Sequence, residues 1–289
     1  MTSIVIPAHN EGRVIGRLLD ALLAESCTDE FDIVVVCNGC TDDTAQVAAH
    51  RGADVRVVEI AQPSKHEALR VGDEHARGFP RLYVDADVVI TTSDVRALIQ
   101  PLDDSSAILA TAPERDLPPD GCAWRVRAYY QVWQRLPAVR QGLFGRGVIA
   151  VSEAGYARIA ALPPLMADDL AASLAFAPDE RLVVDTARVV VHPPRTWSDL
   201  IKRRIRAATS SAQLEHYQRQ ELGGRQEEVS PSARTGKADL LAILRAEPKL
   251  VPGVVVFLWA AVAARRGSRR AIKSQDFGTW LRDESSRQA

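Results

Sequence analysis

Arg81-Leu-Tyr-Val-Asp85-Ala-Asp87-Val-Val-Ile90 reads as a buried strand that gives way to a loop at two carboxylates one residue apart. Val84 and the run Val88-Val89-Ile90 are β-branched and apolar, the composition of a strand covered on both faces in a parallel sheet. In an extended chain residues i and i+2 point to the same side, so Asp85 and Asp87 can face a single point. Two carboxylates held together repel unless one is protonated or a cation lies between them. A hard divalent ion such as Mg²⁺ or Mn²⁺ prefers such oxygens and can grip a diphosphate at the same time. The plainer reading is structural, with Asp85 ending the strand and Asp87 capping a turn. The residues upstream bear on the choice.

Ser3-Ile-Val-Ile-Pro7 is a short β-branched run stopped by proline, a first strand, and Ala8-His9-Asn10-Glu11-Gly12 follows as a loop. Val14, Ile15, Leu18, Leu19, Leu22 and Leu23 then recur at helical spacing. Phe31 to Cys37 is a second buried strand, and Asn38-Gly39-Cys40-Thr41 turns the chain sharply. Thr41 or Asp42 is placed to cap a helix starting at Asp43. Val55 to Ile60 is a third strand and Lys65 to Arg77 an amphipathic helix. Strands alternating with helices at this spacing predict an α/β fold with a mostly parallel sheet. Ligands in such sheets collect at the carboxyl ends of the strands. Asn10, Asn38 and Asp85 all stand there, so they are expected to converge on one crevice.

The second half is less regular. Ser93 to Leu102 reads as helix, Ala107 to Thr111 as strand, and Pro113 to Gly121 as a loop long enough to matter at a site mouth. Trp124 to Leu136 is a helix whose aromatics serve core packing rather than a sugar platform. Gln141 to Gly147 is a glycine-rich turn, weak evidence of phosphate binding, leading into a strand from Val148 to Ser152. Asp168 and Asp169 follow a proline break at Pro163 and open a helix, where the dipole favours an acidic residue. Arg181 to Val191 is a strand closed by His192-Pro193-Pro194. A long helix from Trp197 carries Lys202, Arg203, Arg204 and Arg206, either a solvated face or an anion site. Glu221 to Lys237 is polar, with the composition of a mobile segment. Leu250 to Ala264 holds no charged residue and is followed by Arg265, Arg266, Arg269 and Arg270. It falls short of the roughly 20 apolar residues of a membrane span. It reads instead as a buried helix or one lying in a membrane interface, its basic flank suited to anionic lipid.

Composition narrows the class. The chain has 289 residues, 46% hydrophobic and 25% charged, an ordinary globular mixture, and its formal net charge of −1 does not mark a nucleic-acid binder. Of the four cysteines (Cys27, Cys37, Cys40 and Cys122), Cys37 and Cys40 form a lone Cys-x-x-Cys with no second pair and no histidine nearby in sequence, so zinc is not expected. Nothing resembles a disulfide framework, and no basic and apolar leader opens the chain, so a cytoplasmic location is expected. No Gly-x-Gly-x-x-Gly follows the first strand, which excludes a nicotinamide enzyme of the usual kind. A nucleotidyltransferase would carry a glycine-rich basic loop where Ala8-His9-Asn10-Glu11 stands.

Four stretches in register carry a resemblance. Ile6-Pro7-Ala8-His9-Asn10-Glu11 looks like an opening Pro-x-x-Asn-Glu, and Val36 to Thr44 is similar to Asp-Asp-Gly-Ser-Thr-Asp-x-Thr. Ser64-Lys65-x-x-Ala68-Leu69 resembles Gly-Lys-x-x-Ala-Leu, and Asp85-Ala86-Asp87 stands where a metal-binding Asp-x-Asp belongs. In this order the chain resembles the family 2 glycosyltransferases of the GT-A fold, closely over its first third and more loosely to about Arg206. Ala167-Asp168-Asp169 looks like the family's Glu-Asp element. Arg203-x-x-Arg206-Ala207 occupies the place of the Gln-x-x-Arg-Trp of processive members, and loss of the Gln and Trp points to a single transfer.

The resemblance implies a GT-A Rossmann-like sheet flanked by helices. A catalytic domain is expected over 1–220, with a nucleotide-sugar half (1–112) and an acceptor half (113–220). Residues 221–289 are expected as a helical extension containing the apolar stretch 250–264. It implies an inverting, metal-dependent hexosyl transfer from a UDP- or GDP-linked sugar to a hydroxyl of a glycan, a lipid-linked or a small-molecule acceptor, in cell-envelope glycan or glycolipid assembly. Pro7, Ala8, Asn10, Glu11, Asn38, Lys65, Asp85, Ala86, Asp87, Arg203 and Arg206 would contact the donor. Asp87, Asp85 and His192 would hold Mn²⁺ or Mg²⁺, although His192 reads equally as a strand-end histidine bonded to backbone. Asp169 would be the base. Asn38 stands where an Asp commonly contacts the nucleobase; an amide can also bond a uracil edge. Competing readings are a catalytically inactive GT-A binding module, against which Asp85, Asp87, Asp168 and Asp169 speak, and a nucleotidyltransferase. Location is expected to be cytoplasmic, with peripheral contact at the inner face of the cell membrane.

Overall fold

The β-branched runs near the amino terminus form adjacent parallel strands. In the computed structural model, which describes residues 1–52, 54–162, 168–221, 235–273 and 285, the chain opens with β1 (Thr2–Ala8), α1 (Ile15–Leu23), β2 (Phe31–Asn38), α2 (Thr44–Ala49), β3 (Val55–Ile60) and α3 (Lys65–His75). It continues through β4 (Arg81–Val84), β5 (Val88–Val89), α4 (Thr92–Asp104), β6 (Ala110–Asp116), α5 (Trp124–Trp133), α6 (Pro137–Gln141) and β7 (Val148–Val151). Next come α7 (Glu153–Ala160), α8 (Asp168–Leu174), β8 (Arg181–Val191), α9 (Trp197–Glu221), α10 (Lys237–Ala246) and α11 (Val251–Lys273). The proline break before Asp168 and most of the polar stretch from Glu221 lie outside the described residues.

The chain divides into two compact units. The first (Met1–Leu117, Leu143–Pro164 and Ala175–His192) holds the whole sheet, in the order β3-β2-β1-β4-β7-β6-β8-β5. β3, β2, β1 and β4 run parallel, as does the pair β6 and β8, while β7 and β5 are antiparallel to their neighbours. This is the mostly parallel sheet flanked by helices that the alternation predicts. Every residue of β1 and β2 is buried, because helices cover both faces of a parallel sheet. One layer of the core sets Ile4, Ile6, Ile33 and Val35 against Ile15, Leu18, Leu19 and Leu22 of α1. The other face carries Val34 and Val36 against Ala68 and Val71 of α3. Gly72 of α3 is needed for that fit, since a Cβ there would stand 2.3 Å from Val5 Cγ1.

Two strand boundaries differ from the sequence reading. Arg81 to Ile90 is not one run: β4 ends at Val84, the chain turns, and Val88-Val89 joins β8 at the far edge of the sheet. Pro113 opens no loop but stays in β6, opposite Val184, with a register shift between Pro113 and Glu114. A bulge is where a strand tolerates a residue without an N–H.

The second unit (Pro118–Gly142, Leu165–Leu174 and Pro193–Ala289) is helical among its described residues. α11 lies along α5 and α9. Tyr129 of α5 stacks on Phe257 with ring centroids 5.2 Å apart. A Cβ on Gly253 would come to 3.1 Å from Ala128 O, and one on Gly267 to 2.4 Å from Ile205 Cδ1, so both glycines permit close helix approach. The helix is also longer than its uncharged stretch. Pro248–Arg270 is long and apolar enough to cross a membrane by length and composition alone, a correction to the shorter span read from the sequence.

Candidate active site

The carboxyl ends of β2, β1 and β4, three adjacent parallel strands, gather most of the residues singled out above. Pro7 and Ala8 close β1 and are buried, so they offer backbone rather than side chain. Asn10 follows in a left-handed conformation, φ +53°, which Asn tolerates better than most residues. Its Oδ1 accepts from the Thr41 N–H at 2.7 Å, tying the loop after β1 to the loop after β2. Glu11 is 7% exposed; its N–H donates to Thr44 Oγ1 at 2.8 Å. The Thr44 hydroxyl donates in turn to Asp42, whose other oxygen accepts from the Gly12 N–H at 3.1 Å. Burial pushes the Asp42 carboxyl up, but these bonds outweigh it and hold the group below the usual carboxylate range.

Asn38 is 3% exposed, and its Nδ2 donates to Ala8 O at 2.8 Å. The amide thus joins the ends of β1 and β2. Beside it, Cys37 and Cys40 are free thiols and act as a pair. The Cys37 S–H donates to the Cys40 sulfur, which also accepts from the Asn10 N–H at 3.4 Å; these bonds bring the Cys40 thiol down to about 6 and push Cys37 up.

Asp85-Ala86-Asp87 forms a turn rather than an extended pair. The Val88 N–H donates to Asp85 O at 3.4 Å, and the Asp85 N–H to Gly147 O at 2.7 Å. Lys65, at the first position of α3, places Nζ 2.8 Å from Asp85 Oδ1. Ser64 caps that helix by accepting from the Glu67 N–H, which fixes where the lysine starts. The antiparallel register pairs Val88 with Val191 and Val89 with Val190, so Asp87 and His192 come at the next cross-strand position. Asp85, Asp87, Lys65 and His192 therefore share one end of the sheet.

Behind the turn stands a support that the sequence reading missed. Arg146 is fully buried; its Nη1 donates to Pro113 O at 2.7 Å and lies 3.3 Å from Glu114 Oε2. Burial pushes this guanidinium down while Glu114 opposes the shift. Arg115 Nη1 donates to Phe144 O at 3.2 Å. Both arginines clamp the segment ending at Gly147, where φ is +67° and a Cβ would stand 2.5 Å from Val88 Cγ1. The glycine spacing in Gln141 to Gly147 was the available signal, and it marks backbone approach to Asp85.

Among the described residues no three His, Cys, Asp or Glu side chains are gathered closely enough to hold an ion unaided. One or two carboxylates completed by water and substrate phosphates are the usual set for Mg²⁺. The Asp85 carboxylate already holds one cationic group, the Lys65 ammonium. The residues present fit such an ion. Asp169, Arg203 and Arg206 belong to the second unit. Asp169 is exposed near the start of α8, its Oδ1 accepting from the Leu170 N–H at 2.9 Å. Arg203 and Arg206 lie one turn apart on α9, both half-buried.

The model of the family described as Glycosyl transferase family 2 matches residues 3–157, more than half of the chain. The chain belongs to glycosyl transferase family 2. Among curated members it is 36% identical over 109 residues to the dolichyl-phosphate beta-glucosyltransferase of Saccharomyces cerevisiae, covering 34% of this chain and 33% of that protein. It is 39% identical over 102 residues to a 4,4'-diaponeurosporenoate glycosyltransferase of Staphylococcus aureus, covering 34% and 27% respectively. The chain thus spans a third or less of the length of the curated relatives it matches. A mannosyltransferase from Pyrobaculum calidifontis, solved with GDP-Man and Mn²⁺, superposes with a TM-score of 0.60 at 20% identity over 94% of this chain and 75% of that one. Glucosyl-3-phosphoglycerate synthase from Mycobacterium tuberculosis, solved with phosphoglyceric acid, gives 0.51 at 19% over 74% and 78%. These two likenesses establish the GT-A fold of this family member.

Proposed function

We propose that this family member transfers a hexosyl group from a UDP- or GDP-linked sugar to an acceptor hydroxyl, with inversion at the anomeric carbon. The observation that carries the reading is the Asp85-Ala86-Asp87 turn at the end of a central strand, backed by Gly147 and faced by Lys65. The relatives solved with GDP-Man and Mn²⁺ and with phosphoglyceric acid support the donor and acceptor classes by analogy of fold. Residues 1–112 serve as the nucleotide-sugar half, 113–220 as the acceptor half, and 221–289 as a helical extension.

In this reading the loop of Pro7, Ala8, Asn10 and Glu11 lines the nucleotide, and Asn38 braces that loop through Ala8 O. Ala86, its side chain buried in the core, meets the donor through its backbone. Lys65 exchanges Asp85 for a donor phosphate, and Arg203 and Arg206 add guanidinium donors to the diphosphate. A divalent cation of the Mg²⁺ or Mn²⁺ class would be held by Asp85, Asp87 and His192 only together with water and the donor phosphates, and would supply positive charge against the leaving diphosphate. Asp169 takes the proton from the acceptor hydroxyl. As that oxygen bonds to the anomeric carbon, the bond from that carbon to the phosphate oxygen breaks on the opposite face. The chain works at the inner face of a cell membrane as a peripheral protein, in glycan or glycolipid assembly.

The test is release of nucleoside diphosphate from UDP- and GDP-sugars with Mn²⁺, in wild type and in Asp87→Ala. Release that is lost in the variant, whose fold is checked by circular dichroism, supports the reading. Equal release from both removes Asp87 from the site.

A further inference from the structure

α11 divides into two faces with different fates. Gly253, Val254, Val256, Phe257, Ala260, Ala264 and Ser268 are buried on the side facing α5 and α9. On the other side Val251 is 51% exposed, Val255 62%, Leu258 48%, Trp259 51% and Val262 44%. Spacings of three and four residues put these on one stripe. The same stripe continues, at the same spacing, into Arg265, Arg266 and Arg269, with Arg270 at its margin, all exposed. It is therefore apolar for its first three turns and cationic for its last two. Beside it Trp124 is 58% exposed, and the Arg125 guanidinium lies 5.4 Å from the Trp124 ring and 5.5 Å from that of Trp259.

We propose that this face of α11 docks obliquely on an anionic phospholipid bilayer. The turns from Val251 to Val262 enter the acyl boundary, and the arginines meet the phosphates. Arginine next to an apolar stripe suits such a surface, since each basic group near anionic lipid adds attraction while the apolar turns leave water. Exposed indoles prefer the same depth. A second copy of the chain fits less well. In a parallel pair the arginines would face arginines, and in a fully overlapped antiparallel pair they would face the valines. The packing of the opposite face on α5 and α9 makes the contact peripheral while the unit stays folded. The inference rests on the peripheral-membrane reading above and names the surface and lipid charge that would serve it.

The test is co-sedimentation of the full chain with phosphatidylcholine vesicles and with equimolar phosphatidylcholine and phosphatidylglycerol vesicles. Two variants are compared: Val255→Ser/Leu258→Ser/Val262→Ser, and Arg265→Gln/Arg266→Gln/Arg269→Gln/Arg270→Gln. Every substituted side chain is exposed, so both variants are expected to fold, which circular dichroism checks. Wild type is expected to bind the anionic vesicles and to be released by salt, with partition lowered at least about tenfold in each variant. Wild type binding while both variants bind equally well overturns this surface and leaves peripheral location standing. No binding by wild type overturns both. Light scattering that shows a wild-type dimer made monomeric by the serine variant, with vesicle binding unchanged, assigns the face to a second copy and overturns the inference.

Discussion

Gly147 joins the two carboxylates to the rest of the sheet through one backbone bond and one close contact. Its φ is +67°, and a Cβ at this position would stand 2.5 Å from Val88 Cγ1, which leaves no room for a side chain. Gly147→Ala is expected to cost about 1–3 kcal/mol in denaturant unfolding and to weaken donor binding, because it moves the turn that carries Asp85. Lys65→Gln behaves differently. Its pair with Asp85 is partly exposed on both sides, so stability should change by less than about 1 kcal/mol while donor affinity falls. Cys40, brought down to about 6, should be alkylated by iodoacetamide at a rate that rises through pH 6 and levels off by neutrality, with the buried Cys37 spared. A rate still climbing at pH 8 would contradict the Cys37-to-Cys40 hydrogen bond. Asp85 and Asp87 were legible because they interrupt an apolar run, whereas Lys65 was reached through the resemblance of Ser64-Lys65-x-x-Ala68-Leu69 to a family motif. The clamp made by half-buried Arg115 and buried Arg146 was not legible, since its partners are backbone carbonyls more than twenty-five residues away, and carbonyls leave no mark in a sequence.

Caps and buried pairs set the energetics of the elements. Thr91 and Asp94 form a capping box at the start of α4, and Thr91→Ala should destabilise the protein by about 1 kcal/mol in chemical unfolding. Asp32 in β2 holds Arg56 of β3 and accepts from Ser3 Oγ at 2.9 Å and the Arg77 N–H at 2.9 Å. Burial pushes its carboxyl up, but these partners outweigh burial and hold it below the usual range. A depressed folded value means stability that is present above the unfolded value of about 4 and lost as pH falls through the folded one. Unfolding free energy should therefore decline in that acid window, and the Asp32 share of the decline should be absent in Asp32→Asn. β1, β2 and β3 were readable because β-branched runs bounded by turn residues leave few alternatives. β5 was not: nothing in Val88-Val89 says that it pairs with Val190 and Val191 a hundred residues later. The end of β6 was hidden too, because Pro113 reads as a breaker unless a bulge is known to follow it.

At the level of the whole chain, sequence reading proceeds in blocks and the fold does not. The second unit is assembled from three separated segments, including Leu165–Leu174 with the proposed base Asp169. What could be read was the order of short motifs at strand ends, since a parallel sheet brings those ends together whatever lies between. The central claim is that the turn at Asp85 and Asp87 binds a nucleoside diphosphate through a divalent ion. Calorimetric titration of UDP and of GDP, each with Mn²⁺ and with EDTA, tests it most directly. The account predicts binding of one nucleotide that needs the ion and disappears in Asp87→Ala. Binding that survives both EDTA and the substitution, or no binding of either nucleotide, would contradict it.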